Sequence, residues 1–84
     1  MERRSHIEIT AEILDAAMNG ARKTHIVYRA NLNHTILESY LQRLEVQGLI
    51  STENGTKRKV KTTQKGLRFV EQYRTLQVLA TSKP

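Results

Sequence analysis

Ile9, Ile13, Ala16 and Ala17 recur three and four residues apart with Leu14 beside them, while Glu8, Glu12 and Asp15 take the other side. This spacing predicts an amphipathic helix. Ser5, with Glu8 three residues on, forms a capping-box pattern at its start, and Gly20 suits its left-handed end. A second, shorter helix follows, with Thr24 as its cap, Ile26, Val27 and Ala30 on its apolar side, and Tyr28 at the flank. Asn31, Leu32 and Asn33 make a turn. Asn33 then caps a third helix running to Gln47, and Gly48 closes it. Leu37, Tyr40, Leu41 and Leu44 form its core stripe. Thr35, Glu38, Ser39 and Gln42 are left on the outward side, with His34 near the start and Arg43 at the margin.

Beyond Leu49 and Ile50 comes Asn54 followed by Gly55, a pair suited to a two-residue hairpin turn because both central residues need positive φ. In that register Glu53 faces Thr56 and Leu49 faces Val60, while Lys57, Lys59 and Lys61 share the opposite face. Thr63 caps a last helix over residues 64–80, leaving 81–84 as a frayed tail. Phe69, Tyr73, Leu76 and Ala80 repeat at four, three and four residues, a heptad-like seam. Leu67 and Val70 form a neighbouring stripe able to dock on the parent domain. The element order is α-α-α-β-β-α, a mainly α fold with one small β-hairpin.

The 84 residues argue for one domain with a small core. No cysteine is present, so disulfides and thiolate sites are excluded. The net charge of +6 is unevenly placed: residues 1–53 hold six basic and seven acidic groups, whereas 54–84 hold eight basic groups and only Glu71. A local positive field of this kind attracts a polyanion. No apolar run is long enough to span a bilayer, and the start lacks the apolar stretch of a signal peptide, so the expected location is cytoplasmic and nucleoid-associated. His6, His25 and His34 lie at three separate helix starts without ligand spacing, so no metal is expected. No catalytic constellation, glycine-rich phosphate loop, cofactor motif or small-molecule substrate site is recognisable.

Two helices joined by a three-residue turn, with another behind them and a basic hairpin after, make a winged helix-turn-helix. The run from Gly20 through Ile26, Tyr28, Ala30 and Leu32 to Asn33, then Leu37, Tyr40, Leu41, Leu44, Gly48, Leu49 and Ile50, resembles the archaeal winged-helix DNA-binding proteins. That family includes the ten-kilodalton chromatin-associated type. The exit from Val60 through Thr63 to Lys65 and Gly66 is similar to the family's strand-to-helix motif. Val60 stands where an aromatic is common and Thr62 where an aliphatic is common, which suggests a less filled wing core. The resemblance covers residues 5–76. It implies double-stranded DNA as the partner, a role in transcription regulation or chromatin, and dimerisation through the C-terminal helix.

The expected organisation is a DNA-binding domain over 1–63 and a dimerisation helix over 64–80. His34, Thr35, Ser39, Gln42 and Arg43 are the expected recognition-helix contacts. Arg22, Lys23, Lys57, Arg58, Lys59 and Lys61 are the expected backbone and wing contacts, in a basic run that continues to Lys65 and Arg68. Phe69, Tyr73, Leu76 and Ala80 are the expected dimer seam. Tyr28 and Tyr40 are expected at the core or its edge, since no aromatic interleaves the basic hairpin. Glu38 on the outward face repels phosphates unless it accepts from a cytosine amino group. It favours an alternative, a protein-interaction module whose basic hairpin meets an acidic partner. RNA is a third option, disfavoured by the missing stacking aromatics.

Overall fold

A computed structural model describes residues 4–53 and 59–81. The elements follow the order α1 (His6–Ala16), α2 (Lys23–Ala30), α3 (His34–Val46), β1 (Ile50–Thr52), β2 (Val60–Thr62) and α4 (Gln64–Thr81). The capping box at α1 is complete: Glu8 N–H donates to Ser5 Oγ, and Ser5 N–H donates to Glu8 Oε1. Asn33 caps α3 by accepting from Ile36 N–H at 2.7 Å. Gly20 and Gly48 take φ of +88° and +78°, and Asn31 ends α2 at φ 54°. The starts of α1 and α3 thus fall where a side chain satisfies a free backbone N–H, and α2 ends on a left-handed residue.

One core joins the elements. Ile9, Ile13 and Leu14 of α1 meet Ile26 and Ala30 of α2, the α3 stripe of Leu37, Tyr40, Leu41 and Leu44, then Leu49, Ile50, Val60 and Val70. The apolar spacings of α1 and α3 are therefore the buried faces.

The hairpin register departs from the sequence expectation. Ile50 pairs with Thr62, Ser51 with Lys61 and Thr52 with Val60, and Glu53 N–H donates to Lys59 O. A two-residue turn at Asn54 and Gly55 would instead face Leu49 with Val60. Those two residues, with Thr56, Lys57 and Arg58, lie outside the described set. The physical reason is burial: a three-residue offset reverses which positions share a face. The observed pairing sets buried Ile50 opposite buried Thr62 and turns Ser51 and Lys61 outward.

Two further corrections concern α2. Its N-cap is Arg22, without a side-chain cap, and Thr24 lies inside the helix. The preceding residue is already held in a bridge, because Ala21 and Val60 exchange both backbone bonds, at 2.9 and 2.8 Å. The chain turns into the helix directly from that bridge. Tyr28 is 85% exposed rather than at the core edge, since eight residues carry one buried face, centred on Ile26 and Ala30, and Tyr28 points the other way.

Thr62 docks the hairpin on the end of α1. Its Oγ1 donates to Leu14 O at 2.6 Å and its N–H donates to Ala17 O at 3.0 Å, a carbonyl that also accepts from Gly20 N–H at the helix end. Val60 is fully buried beside it. The Thr63 to Gly66 segment then fastens α3 to α4. Thr63 Oγ1 donates to Gly48 O and accepts from Gly66 N–H, while Lys65 Nζ donates to Gln47 O at 2.9 Å. A Cβ at Gly66 would stand 2.2 Å from Leu49 O, so only glycine permits this approach.

Candidate nucleic-acid interface

The buried stripe of α3 fixes what the helix shows on its other side. Thr35, Ser39 and Gln42 are all exposed, spaced by four and three residues along one strip. Val46 continues that spacing and is 89% exposed. It was missed in the sequence, although the four-residue step from Gln42 carries it, because valine reads as a core residue. Its methyls, like those of exposed Ile36, are suited to apolar contact with a thymine methyl. His34 is exposed at the first position of the helix.

The two margins of the strip differ in charge. On one side Glu38 accepts from Lys23 Nζ at 2.8 Å, and Glu45 lies seven residues further along the same side. Lys23, expected on a phosphate, is thereby engaged with a carboxylate. On the other side the Arg43 guanidinium carbon sits 5.1 Å from the centre of the Tyr40 ring, so Arg43 leans toward α1 rather than over the strip. Tyr40 is buried as expected, and its hydroxyl meets His6 Nδ1 at 2.6 Å.

Among the wing cations, Lys61 is exposed on the outward face of β2. Lys59 is half-buried, its stem near Gly20. Lys57 and Arg58 fall outside the described residues. Arg22 is exposed at the start of α2, close in sequence to the bridge that joins the α1–α2 turn to β2. Lys65 belongs to the expected basic run, yet its ammonium caps the end of α3, where carbonyl dipoles favour a cation.

In the last helix the expected seam divides. Phe69 packs against the core, and Tyr73 is half-buried beside Ala11, Glu12 and Asp15 of α1. Burial, and after it the Glu8 and Glu12 carboxylates, raise the Tyr73 phenol above its ordinary value. Arg74 donates to Asp15 Oδ1 at 2.7 Å, and Arg29 of α2 approaches the other oxygen at 3.5 Å. Leu76, Val78, Leu79 and Ala80 are exposed, as is every residue from Arg74 to Thr81.

A three-helix head with a bridged hairpin wing is the arrangement described by the winged helix-turn-helix family model, which matches residues 3–81. The chain belongs to the winged helix-turn-helix family. Among solved structures, it is similar in fold to Sso10a-2, a DNA-binding protein from Sulfolobus solfataricus. The TM-score is 0.79 at 24% sequence identity, covering 94% of this chain and 87% of that one. No curated protein matches the chain. Among the described residues no group of three His, Cys, Asp or Glu side chains could hold a metal ion, and no helix is long and apolar enough to cross a membrane.

Proposed function

We propose that this chain binds double-stranded DNA as a homodimer, in a transcription-regulating or chromatin-associated role inside the cell. The observation that carries the reading is the exposed strip of Thr35, Ser39, Gln42 and Val46 on α3, the second helix of a helix-turn-helix motif. In this motif the second helix enters the major groove, and small polar side chains can reach base edges there. Arg22, Lys61 and the basic hairpin supply the phosphate contacts. Further support comes from the charge, since the chain from residue 54 onward carries a surplus of seven positive charges. The similar fold of Sso10a-2, described as a DNA-binding protein, supports the same assignment. The exposed second half of α4 supplies the second copy's contact.

The deciding experiment is a titration of random duplex DNA, single-stranded RNA and polyglutamate at several salt concentrations. Affinity for the duplex is expected to fall steeply with salt, because each neutralised phosphate releases condensed counterions. Replacing Lys57, Lys59 and Lys61 together by Ala should flatten that slope by up to about 0.9 for each phosphate no longer neutralised. Ser39→Ala and Gln42→Ala should change sequence preference more than overall affinity. Tighter binding to polyglutamate or RNA than to duplex would overturn the reading.

A further inference from the structure

A cavity of about 210 Å³ opens between the start of α1, the second half of α3 and the first turns of α4, off the polar strip of α3. Its apolar wall is Leu44, Leu49 and Phe69. Ile7, which contributes to the same wall, is 58% exposed, an apolar side chain at the mouth that its own fold does not cover. The polar groups converging on this space are His6, Tyr40 and Arg43, with Thr10 and Gln47 beside them. Among the described residues that line it there is no Asp or Glu, and no described carboxylate pairs with Arg43.

We propose that this cavity binds a small monocarboxylate carrying one apolar ring or short chain. Arg43 is the anion anchor. Its guanidinium is kept at the rim by the Tyr40 ring at 5.1 Å, and a planar fork of donors matches a carboxylate. Tyr40 is buried, and its hydroxyl is committed to His6 Nδ1 at 2.6 Å. When the hydroxyl donates, the neutral imidazole carries its proton on Nε2, which becomes the second donor to the anion. A bound carboxylate selects that tautomer. The ligand's apolar part replaces water against Phe69, Leu44 and Ile7. The size limit follows from the volume, which lies below the roughly 300 Å³ at which pockets for drug-sized ligands begin. A polyphosphate or nucleic-acid strand does not fit a space walled on one side by leucine and phenylalanine.

The inference is independent of the DNA reading and is tested without DNA. Isotope-labelled full-length protein is titrated by NMR with benzoate, and with benzamide as the neutral counterpart of nearly equal shape. Benzoate is expected to shift the His6, Arg43 and Phe69 amides saturably, with benzamide at least tenfold weaker. Arg43→Gln, at an exposed position and therefore compatible with folding, should weaken benzoate at least tenfold, whereas Lys61→Ala should leave it unchanged. The proposal is overturned by a linear, non-saturating response, by equal responses to benzoate and benzamide, or by an Arg43→Gln variant that binds like the parent. It is equally overturned if these amides shift with protein concentration and not with benzoate, which assigns the face to a second copy of the chain.

Discussion

Lys23 Nζ donates to Glu38 Oε2 at 2.8 Å, bridging the turn between α2 and α3. The carboxylate beside the polar strip of α3 is therefore met by a cation from the neighbouring helix. Both side chains are partly open to solvent, 37% and 47% exposed, so the pair contributes little to stability, within about 1 kcal/mol. Its weight falls on binding. Glu38→Gln should leave the unfolding midpoint nearly unchanged and release Lys23 toward phosphate. Duplex affinity should then rise and the salt slope steepen by up to about 0.9, as read by fluorescence anisotropy across a salt series. A loss of affinity confined to certain sequences would instead make Glu38 a base contact of its own.

Gly66→Ala tests the approach of α4 to the end of α3. The added Cβ meets a backbone carbonyl, Leu49 O, and the Thr62 methyl at 2.7 Å, neither of which is a flexible side-chain end. Overpacking of this kind costs about 1 to 3 kcal/mol, and more where backbone must shift. Urea unfolding followed by circular dichroism should show a midpoint lowered at nearly constant m. An unchanged midpoint would mean that α4 can be displaced freely.

Thr62→Val removes the hydroxyl that meets Leu14 O while keeping nearly the same shape. A buried carbonyl left without its donor costs about 1 to 3 kcal/mol. Thr62→Ser keeps the hydroxyl and should lose less than Thr62→Val in thermal unfolding. The reverse order would assign the stabilisation to packing of the methyl.

Leu76→Glu tests the assembly. Light scattering at tens of micromolar should find the parent dimeric and the variant monomeric, with helical content retained because Leu76 makes no part of the protomer core. A monomeric parent, or a variant that still pairs, would remove α4 from the interface.

The parts of the fold that were legible in the sequence are those written in local spacing. The stripes of α1 and α3, the Ser5 and Asn33 caps and the turns at Gly20 and Gly48 each depend on residues within one or two helical turns. The outward strip of Thr35, Ser39 and Gln42 followed from them by geometry. What stayed hidden depends on distant partners. The Ala21 to Val60 bridge is a pair of backbone bonds without side-chain periodicity. The hairpin register follows from docking Val60 and Thr62 into a core built by other elements, which local turn chemistry does not encode. Lys65 read as one more member of a basic run, and only the position of Gln47 O reveals its capping role. The Lys23 to Glu38 pair was hidden for the same reason, since fifteen residues separate the partners.

Thr63, Lys65 and Gly66 hold the last carbonyls of α3 and the first turn of α4 in a single joint. Because α4 is also held along α1 by Tyr73 and the Arg74–Asp15 pair, a tilt of this head carries α4 with it as a rigid arm. At about 1.5 Å per residue the arm is about 27 Å long, so a tilt of about 10° swings its far tip by about 5 Å. In the proposed dimer, the angle at which one head seats would thereby be geared to the distance at which its twin can reach.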